Sequence, residues 1–267
     1  ILGVLVLSNA EGIKSKLDAA KDAVTKNQIL DELSSKIIMP YVIMAIILVL
    51  LAIMISKSNL PEIEGDEEES TDITKTNKTS VLQFPHLILG VICLFLYVGV
   101  EVMAGDAIGT YGQALGLPLD ETKYFTTFTL FAMLAGYVLG IIAIPKFISQ
   151  HRALAISAIL GALFSIGVFV SSGYVSITFI ALLGLANALM WPAIFPLAID
   201  GLGKFTKIGS AMLIMGIAGG AILPLMYTLL KDNHIFSNHV AFLVCMLPAY
   251  IYILYYALQG YSVGKSK

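Results

Sequence analysis

Two carboxylates stand out in a strongly apolar region of the chain. Glu101 lies inside the apolar run 86–105 with Tyr97 one helical turn before it, and Asp106 follows just beyond the run. In the middle of a bilayer a carboxylate costs about 2.5–3.5 kcal/mol on insertion scales and is rarely left facing lipid. We therefore expect Glu101 to face a cavity, where it accepts hydrogen bonds from a polar ligand or exchanges a proton. A structural hydrogen bond to a neighbouring helix is the alternative.

Asp106, on another face and nearer the water boundary, is a candidate for ion coupling or simply an interfacial residue.

A second group combines an amide with the chain's only tryptophan. Asn187 and Trp191 are four residues apart, so on a continuous helix they share one face. The tryptophan falls inside an apolar run rather than at its end, which argues against a place in an interfacial aromatic belt. An indole face beside an amide suits a sugar, whose C–H face stacks on the ring while its hydroxyls bond to the amide. Helix packing by a bulky side chain is the alternative.

Other chemistry finds no support in the sequence. Cys93 and Cys245 both lie in apolar runs without metal-ligand spacing, and the four histidines fall in loops or at the ends of runs. We find no Ser-His-Asp set, no HExxH and no phosphate loop, so we expect no enzyme, no cofactor and no bound metal. The net charge of −2 and the lack of a basic stripe argue against nucleic acid.

The elements that must position these residues are membrane-spanning helices. Of 267 residues, 58% are hydrophobic and only 13% are charged, and the mean hydropathy is +0.87, which fits a surface that largely faces lipid. A span needs about 20 apolar residues. Runs of that kind occur at 37–56, 86–105, 124–145, 153–171, 174–199, 207–230 and 239–258. The sequence thus predicts an all-α membrane protein with seven complete spans and a partial one at 1–8. Strands are not expected, because Ile43–Ile55 does not alternate.

Two polar stretches interrupt the spans. Residues 9–36 carry charges around apolar residues at helical spacing, which predicts an exposed amphipathic helix. Residues 57–84 contain an acidic run followed by Ser, Thr, Asn and Lys, which predicts a flexible linker. Most lysines and arginines of the short loops fall on the side of 57–84, although 9–36 carries several on the other. We therefore expect 57–84 and the C-terminus to be cytoplasmic.

Several motifs resemble a known family. They are the run from Leu185 through Trp191 and Pro192 to Gly203, the Gly-Ser pair at 209–210, and Gly219-Gly-Ala-Ile-Leu-Pro224. Tyr97-Val-Gly-Val-Glu101 and Gly136-Tyr-Val-Leu-Gly140 belong to the same pattern. Together they resemble the major facilitator superfamily, and within it the fucose–galactose–glucose:H⁺ symporter family with its bacterial glucose/galactose transporters.

The resemblance implies a twelve-helix transporter of two six-helix bundles, with the substrate near the membrane midplane between them. Residues 1–56 would then be the end of the N-terminal bundle, from the end of helix five through helix six. Residues 57–84 would be the cytoplasmic linker, and 85–267 would be helices seven to twelve. Because Ile1 lies in an apolar run already under way, we expect the chain to lack the earlier helices.

The function implied by the resemblance is hexose:proton symport by alternating access. Sugar contacts would come from Tyr97, Glu101, Asn187 and Trp191, and a cytoplasmic gate from Lys146 and Arg152. The family's usual arginine after the first glycine of that gate region is replaced here by Tyr137, and the usual coupling carboxylates belong to the N-terminal bundle. We expect a monomer in the plasma membrane, with lipid around it. A sodium-coupled carrier is one alternative; a receptor or assembly protein that transports nothing is another.

Overall fold

The computed structural model describes residue 16 and residues 22–57, 79–144 and 146–265. Within these residues seven helical segments are long and apolar enough to cross a membrane, and they confirm the seven predicted spans. The predicted partial span at 1–8 and most of the predicted linker lie outside the described residues. The spans are Ile38–Lys57, Pro85–Gly105, Asp120–Ala143, Gln150–Val170, Gly173–Ile199, Gly203–Asp232 and Asn238–Leu258.

Eleven α-helices make up the described part of the chain. They are α1 (Ala23–Lys57), α2 (Pro85–Gly105), α3 (Ala107–Ala114), α4 (Leu119–Thr122), α5 (Phe125–Ala143), α6 (Gln150–Val170), α7 (Gly173–Asn187), α8 (Met190–Ile199), α9 (Thr206–Met215), α10 (Gly219–Asp232) and α11 (Asn238–Leu258). Short 3₁₀ turns lie at Val81–Gln83, Gly203–Phe205, Gly216–Ala218 and Gly260–Ser262.

The described residues form two compact units. The smaller unit contains α1 and Pro118–Tyr124. We predicted an amphipathic helix at 9–36 and a separate span from 37; the structure instead joins residues 23–36 to the span in one 35-residue helix that continues through Pro40, and most of 9–22 lies outside the described residues. Its side chains in the span are exposed, as expected for a helix whose apolar surface is made for lipid or for other helices.

The larger unit is built around α2. This helix packs against α7, α8, α10 and α11, while α6 packs against α11 and α7, and α5 against α7. Large side chains of α2 and α11 lie in the core of this unit, among them the fully buried Leu94, Met103, Phe242 and Tyr256. Because α2 carries Tyr97 and Glu101, its central place brings these two residues within reach of several neighbouring helices.

Two spans that the sequence predicts as single helices are interrupted. The span at 174–199 consists of α7 and α8, with a turn at Ala188–Leu189 between them. Pro192 has no N–H to offer the Ala188 carbonyl, so the helical ladder loses a bond at that turn. The span at 207–230 changes to a 3₁₀ turn at Gly216–Ala218 between α9 and α10. Breaks of this kind are tolerated in membranes where protein surrounds them.

Glycines set the closest helix approaches. A Cβ on Gly219 would lie 1.8 Å from the Phe95 carbonyl oxygen of α2. A Cβ on Gly184 would lie 2.2 Å from the Thr129 carbonyl oxygen of α5. In both places the obstacle is backbone, which cannot rotate away as a side chain could, so only glycine allows these helices to touch.

Gly219→Ala is therefore expected to lower stability, because the new methyl group pushes α10 away from α2. Overpacking of this kind costs roughly 1–3 kcal/mol. The measurement is the midpoint of thermal unfolding of the purified protein in detergent. Gly105→Ala is the matched control, since a Cβ there meets nothing within 4 Å. Equal midpoints for the two variants would contradict the packing argument.

Candidate functional site

A carboxylate and a tyrosine form the centre of the candidate site on α2. Tyr97 is 1% exposed, and its hydroxyl donates a hydrogen bond to the half-buried carboxylate of Glu101 one turn later. A carboxylate has room for about four hydrogen bonds, so this one leaves capacity for further donors. The local helix geometry thus presents a partly satisfied acceptor inside a span.

Trp191 approaches the same tyrosine from α8. Its ring centroid lies 6.4 Å from that of Tyr97 in an edge-to-face arrangement, and its other neighbour Phe195 stacks on it at 6.2 Å and 16°. The indole is half-buried. Tyr97 therefore contacts both Glu101 and Trp191, and the structure brings these three predicted residues together between α2 and α8.

Asn187 is the last residue of α7 and is fully buried. Tyr250 of α11 donates a hydrogen bond of 2.9 Å to its Oδ1 atom, whereas its Nδ2 atom has no hydrogen-bond partner among the described residues. The ring of Tyr250 fits over Gly161 of α6, where a Cβ would come within 2.3 Å of it. Asn187 ends α7 and Trp191 lies in α8, on either side of the turn at Ala188–Leu189, so their place on one helical face stays a prediction.

Two more tyrosines lie in the neighbourhood of the Glu101 carboxylate. The hydroxyl groups of Tyr137 and Tyr250 both lie within electrostatic range of Glu101. Tyr137 also lines a largely apolar cavity of about 200 Å³ with Leu189 and Pro192. Sequence reasoning assigned neither tyrosine to the site, since nothing in the local pattern separates them from the other tyrosines of the apolar runs. In chemical terms, the arrangement is a carboxylate acceptor with one tyrosine donor, Tyr97, beside an aromatic face, while the Tyr250 hydroxyl donates to Asn187.

The amino-acid sequence of the chain is similar to those of known sugar transporters. No family model matches the chain. It is 30% identical over 247 residues to a glucose/galactose transporter of Brucella abortus, which covers 91% of this chain and 57% of that protein. It is 27% identical over 236 residues to an L-fucose-proton symporter of Haemophilus influenzae, covering 86% of this chain and 54% of the relative. The chain thus spans little more than half the length of these relatives.

A solved structure agrees with these similarities. The crystal structure of the major facilitator superfamily transporter FucP in the outward conformation matches with a TM-score of 0.69 at 21% identity, covering 95% of this chain and 63% of FucP. The chain has the major facilitator fold. This confirms the fold class and the resemblance predicted from the sequence.

The remaining predicted residues lie outside the cluster. In the major facilitator fold of this chain, Asp106 is exposed at the joint between α2 and α3, where its backbone N–H bonds to the Val102 carbonyl. Lys146 and Arg152 are exposed near the start of α6, with the Lys146 ammonium 5.5 Å from the Phe147 ring. Neither cation forms an ion pair with any residue that the structure describes. Their roles in coupling and gating stay predictions.

Tyr250→Phe is expected to destabilise the bundle, because it removes the only hydrogen bond of the Asn187 amide with the described residues. A buried polar group left unsatisfied costs about 1–3 kcal/mol. The measurement is again the thermal unfolding midpoint. Tyr255→Phe on the same helix is the control, since Tyr255 is 42% exposed. A midpoint for Tyr250→Phe that matches the control would show that the amide does not depend on this bond.

Proposed function

We propose that this chain is part of a transporter that carries a hexose, glucose or galactose, together with a proton by alternating access. The observation that carries the proposal is the cluster of Glu101, Tyr97 and Trp191 between α2 and α8. The similar proteins support it, since one is a glucose/galactose transporter and another an L-fucose-proton symporter. Because the chain spans only part of these proteins, the activity of the whole protein is inferred.

In this proposal the cluster binds both the apolar face and the hydroxyl groups of a sugar. The apolar C–H face stacks on the half-buried Trp191 indole, and a sugar hydroxyl donates to the free lone pairs of Glu101. Asn187 offers its unpaired Nδ2–H to a sugar oxygen. Since Asn187 is buried in this conformation, that contact requires α8 to move at the turn Ala188–Leu189.

Alternating access follows from the bundle architecture. In major facilitator transporters the substrate lies near the midplane between two bundles that rock about it. We propose that residues 85–267 form the C-terminal bundle, that 57–84 is the cytoplasmic linker, and that 1–56 belongs to the N-terminal bundle. The cluster would then be the part of the substrate site that the C-terminal bundle supplies. Lys146 and Arg152 would belong to the cytoplasmic gate.

Charge at the two ends of the larger unit supports a cytoplasmic C-terminus in a bacterial plasma membrane. Lysine at the opposite end is paired: Lys231 lies 3.3 Å from Asp232. At the end where α11 finishes, exposed cations without an ion pair to any described residue are Lys146, Arg152, Lys204 and Lys207. Such an excess marks the cytoplasmic side. We propose a monomer that needs no cofactor, with Asp106 as a possible coupling position.

Trp191→Ala in the full-length transporter is expected to weaken hexose uptake at least tenfold while membrane levels stay unchanged, because the sugar loses its stacking surface. A tenfold loss corresponds to about 1.4 kcal/mol. The measurement is the initial rate of labelled hexose uptake against its concentration. Trp191→Phe should retain part of the affinity. Phe131→Ala is the control, since Phe131 is 65% exposed on α5. Unchanged uptake in Trp191→Ala would remove this residue from the site.

The substrate and the coupling ion are tested by uptake into sealed vesicles that contain the full-length protein. Labelled glucose and galactose should accumulate against their gradients, whereas labelled fucose serves as the comparison sugar. A protonophore should abolish accumulation, while replacement of sodium by potassium should leave it unchanged. The opposite pattern would establish a sodium-coupled carrier. Saturable binding of the sugars without uptake would instead indicate a receptor.

A further inference from the structure

The residues that follow α11 fold back across one end of the bundle. We call residues 260–265 the C-terminal strap. It begins with the 3₁₀ turn Gly260–Ser262 and reaches Lys265 at the end where α2 and α6 begin and α8 finishes. The strap contacts α2 and α6, and it contacts both α8 and Asp200, the residue that directly follows α8.

Lys265 binds the C-terminal end of α8. Its ammonium group donates to the carboxylate of Asp200 at 2.8 Å and to the Leu197 carbonyl at 3.3 Å, and its side chain is only 23% exposed. The last carbonyl groups of a helix lack intrahelical partners, so a cation there is favourable. The buried His86 of α2 donates from Nε2 to the Asp200 carbonyl at 3.0 Å. The end of α8 is thus held from two sides.

Two further contacts fix the path of the strap. The Tyr261 ring stacks on the His151 ring of α6 at 5.0 Å with a 12° interplanar angle. Gly264 has a φ of +77°, and a Cβ on it would lie 2.8 Å from Cδ of Pro85 in α2. A residue other than glycine would therefore be strained here and would also collide with the proline ring.

The helix that the strap contacts, α8, is short, and its backbone hydrogen bonding is interrupted. α8 has ten residues and is about 15 Å long. Pro196 removes an N–H from its ladder, Pro192 cannot donate back to the Ala188 carbonyl, and the turn at Ala188–Leu189 separates α8 from α7. Its buried side chains pack against α2 and α6, and a further contact lies at each end: the Trp191 ring on Tyr97 at one end, and Asp200 with Lys265 at the other.

We propose that the C-terminal strap is a conformational latch for α8. While Lys265 holds Asp200 and Leu197, the end of α8 stays against α2 and α6. When the strap is released, α8 is free to move at the turn Ala188–Leu189, and it carries the Trp191 ring with it. The latch is a property of the bundle itself and does not depend on which substrate the protein carries.

Hydrogen–deuterium exchange of the full-length protein in lipid nanodiscs tests the latch without any transport assay. The reporters are the amides of Asp200 and Leu202, which donate to the carbonyls of Pro196 and Ile199 at 3.1 and 3.3 Å. In Lys265→Ala their exchange should accelerate about two- to fivefold, the range expected for loss of a partly exposed ion pair. Gly264→Ala should accelerate the same amides, because it displaces the strap by a different route.

The controls separate a latch from general destabilisation. Lys204→Ala removes a cation at the same end that is exposed and pairs with no acidic residue in the described chain, so exchange should stay unchanged. Amides in the middle of α6 should exchange at the wild-type rate in every variant. Unchanged exchange at Asp200 and Leu202 in either strap variant overturns the proposal. Equal acceleration throughout α6 also overturns it, since the strap would then be a general stabiliser.

Discussion

The constraint on which the rest of this structure depends is that a bilayer offers no water to an unpaired backbone group. Each span must satisfy its own N–H and C=O groups, and every proline inside a span removes one donor. Pro192 and Pro224 belong to the two interrupted spans, α7–α8 and α9–α10. The turn at Ala188–Leu189 lies against Gly136 and Gly140 of α5, and the turn at Gly216–Ala218 lies against α2, so in both places a neighbouring helix covers the backbone. The positions at which the chain departs from regular helix are thus the positions at which other helices can cover it.

That arrangement explains why α2 is the helix that carries the polar cluster. Gly216 and Gly219 let the α9–α10 junction approach the backbone of α2 near Phe95, two residues before Tyr97. On another side, Gly90 of α2 allows close approach of Ala198 in α8. These close contacts help to bury Tyr97, which is 1% exposed. Glu101 one turn later is only half-buried, so its carboxylate has Tyr97 as a protein partner and stays open to a ligand.

Much of the fold could be predicted from the sequence, because hydropathy over about 20 residues follows directly from the thickness of the bilayer. The pairing of Tyr97 with Glu101 could also be predicted, since a four-residue spacing acts within one helix. The turn at Ala188–Leu189 could not, because prolines are compatible with continuous or broken spans depending on their neighbours. Tyr250 escaped prediction for a related reason: its place over Gly161 joins residues 89 positions apart, and no local pattern encodes that contact.

The polar groups of the cluster differ from those that serve only to join helices. Tyr111, Ser176 and the Val168 carbonyl form a closed chain, in which Ser176 donates to the carbonyl and accepts from Tyr111. The Asn187 amide is different, because its oxygen is occupied by Tyr250 while its nitrogen has no partner in the described part of the chain. A buried donor without an acceptor costs free energy, and such a cost is tolerated where another state or a ligand supplies the acceptor. Of the buried polar side chains of α7, Asn187, which lies next to the turn at Ala188–Leu189, is therefore the one suited to bind a ligand.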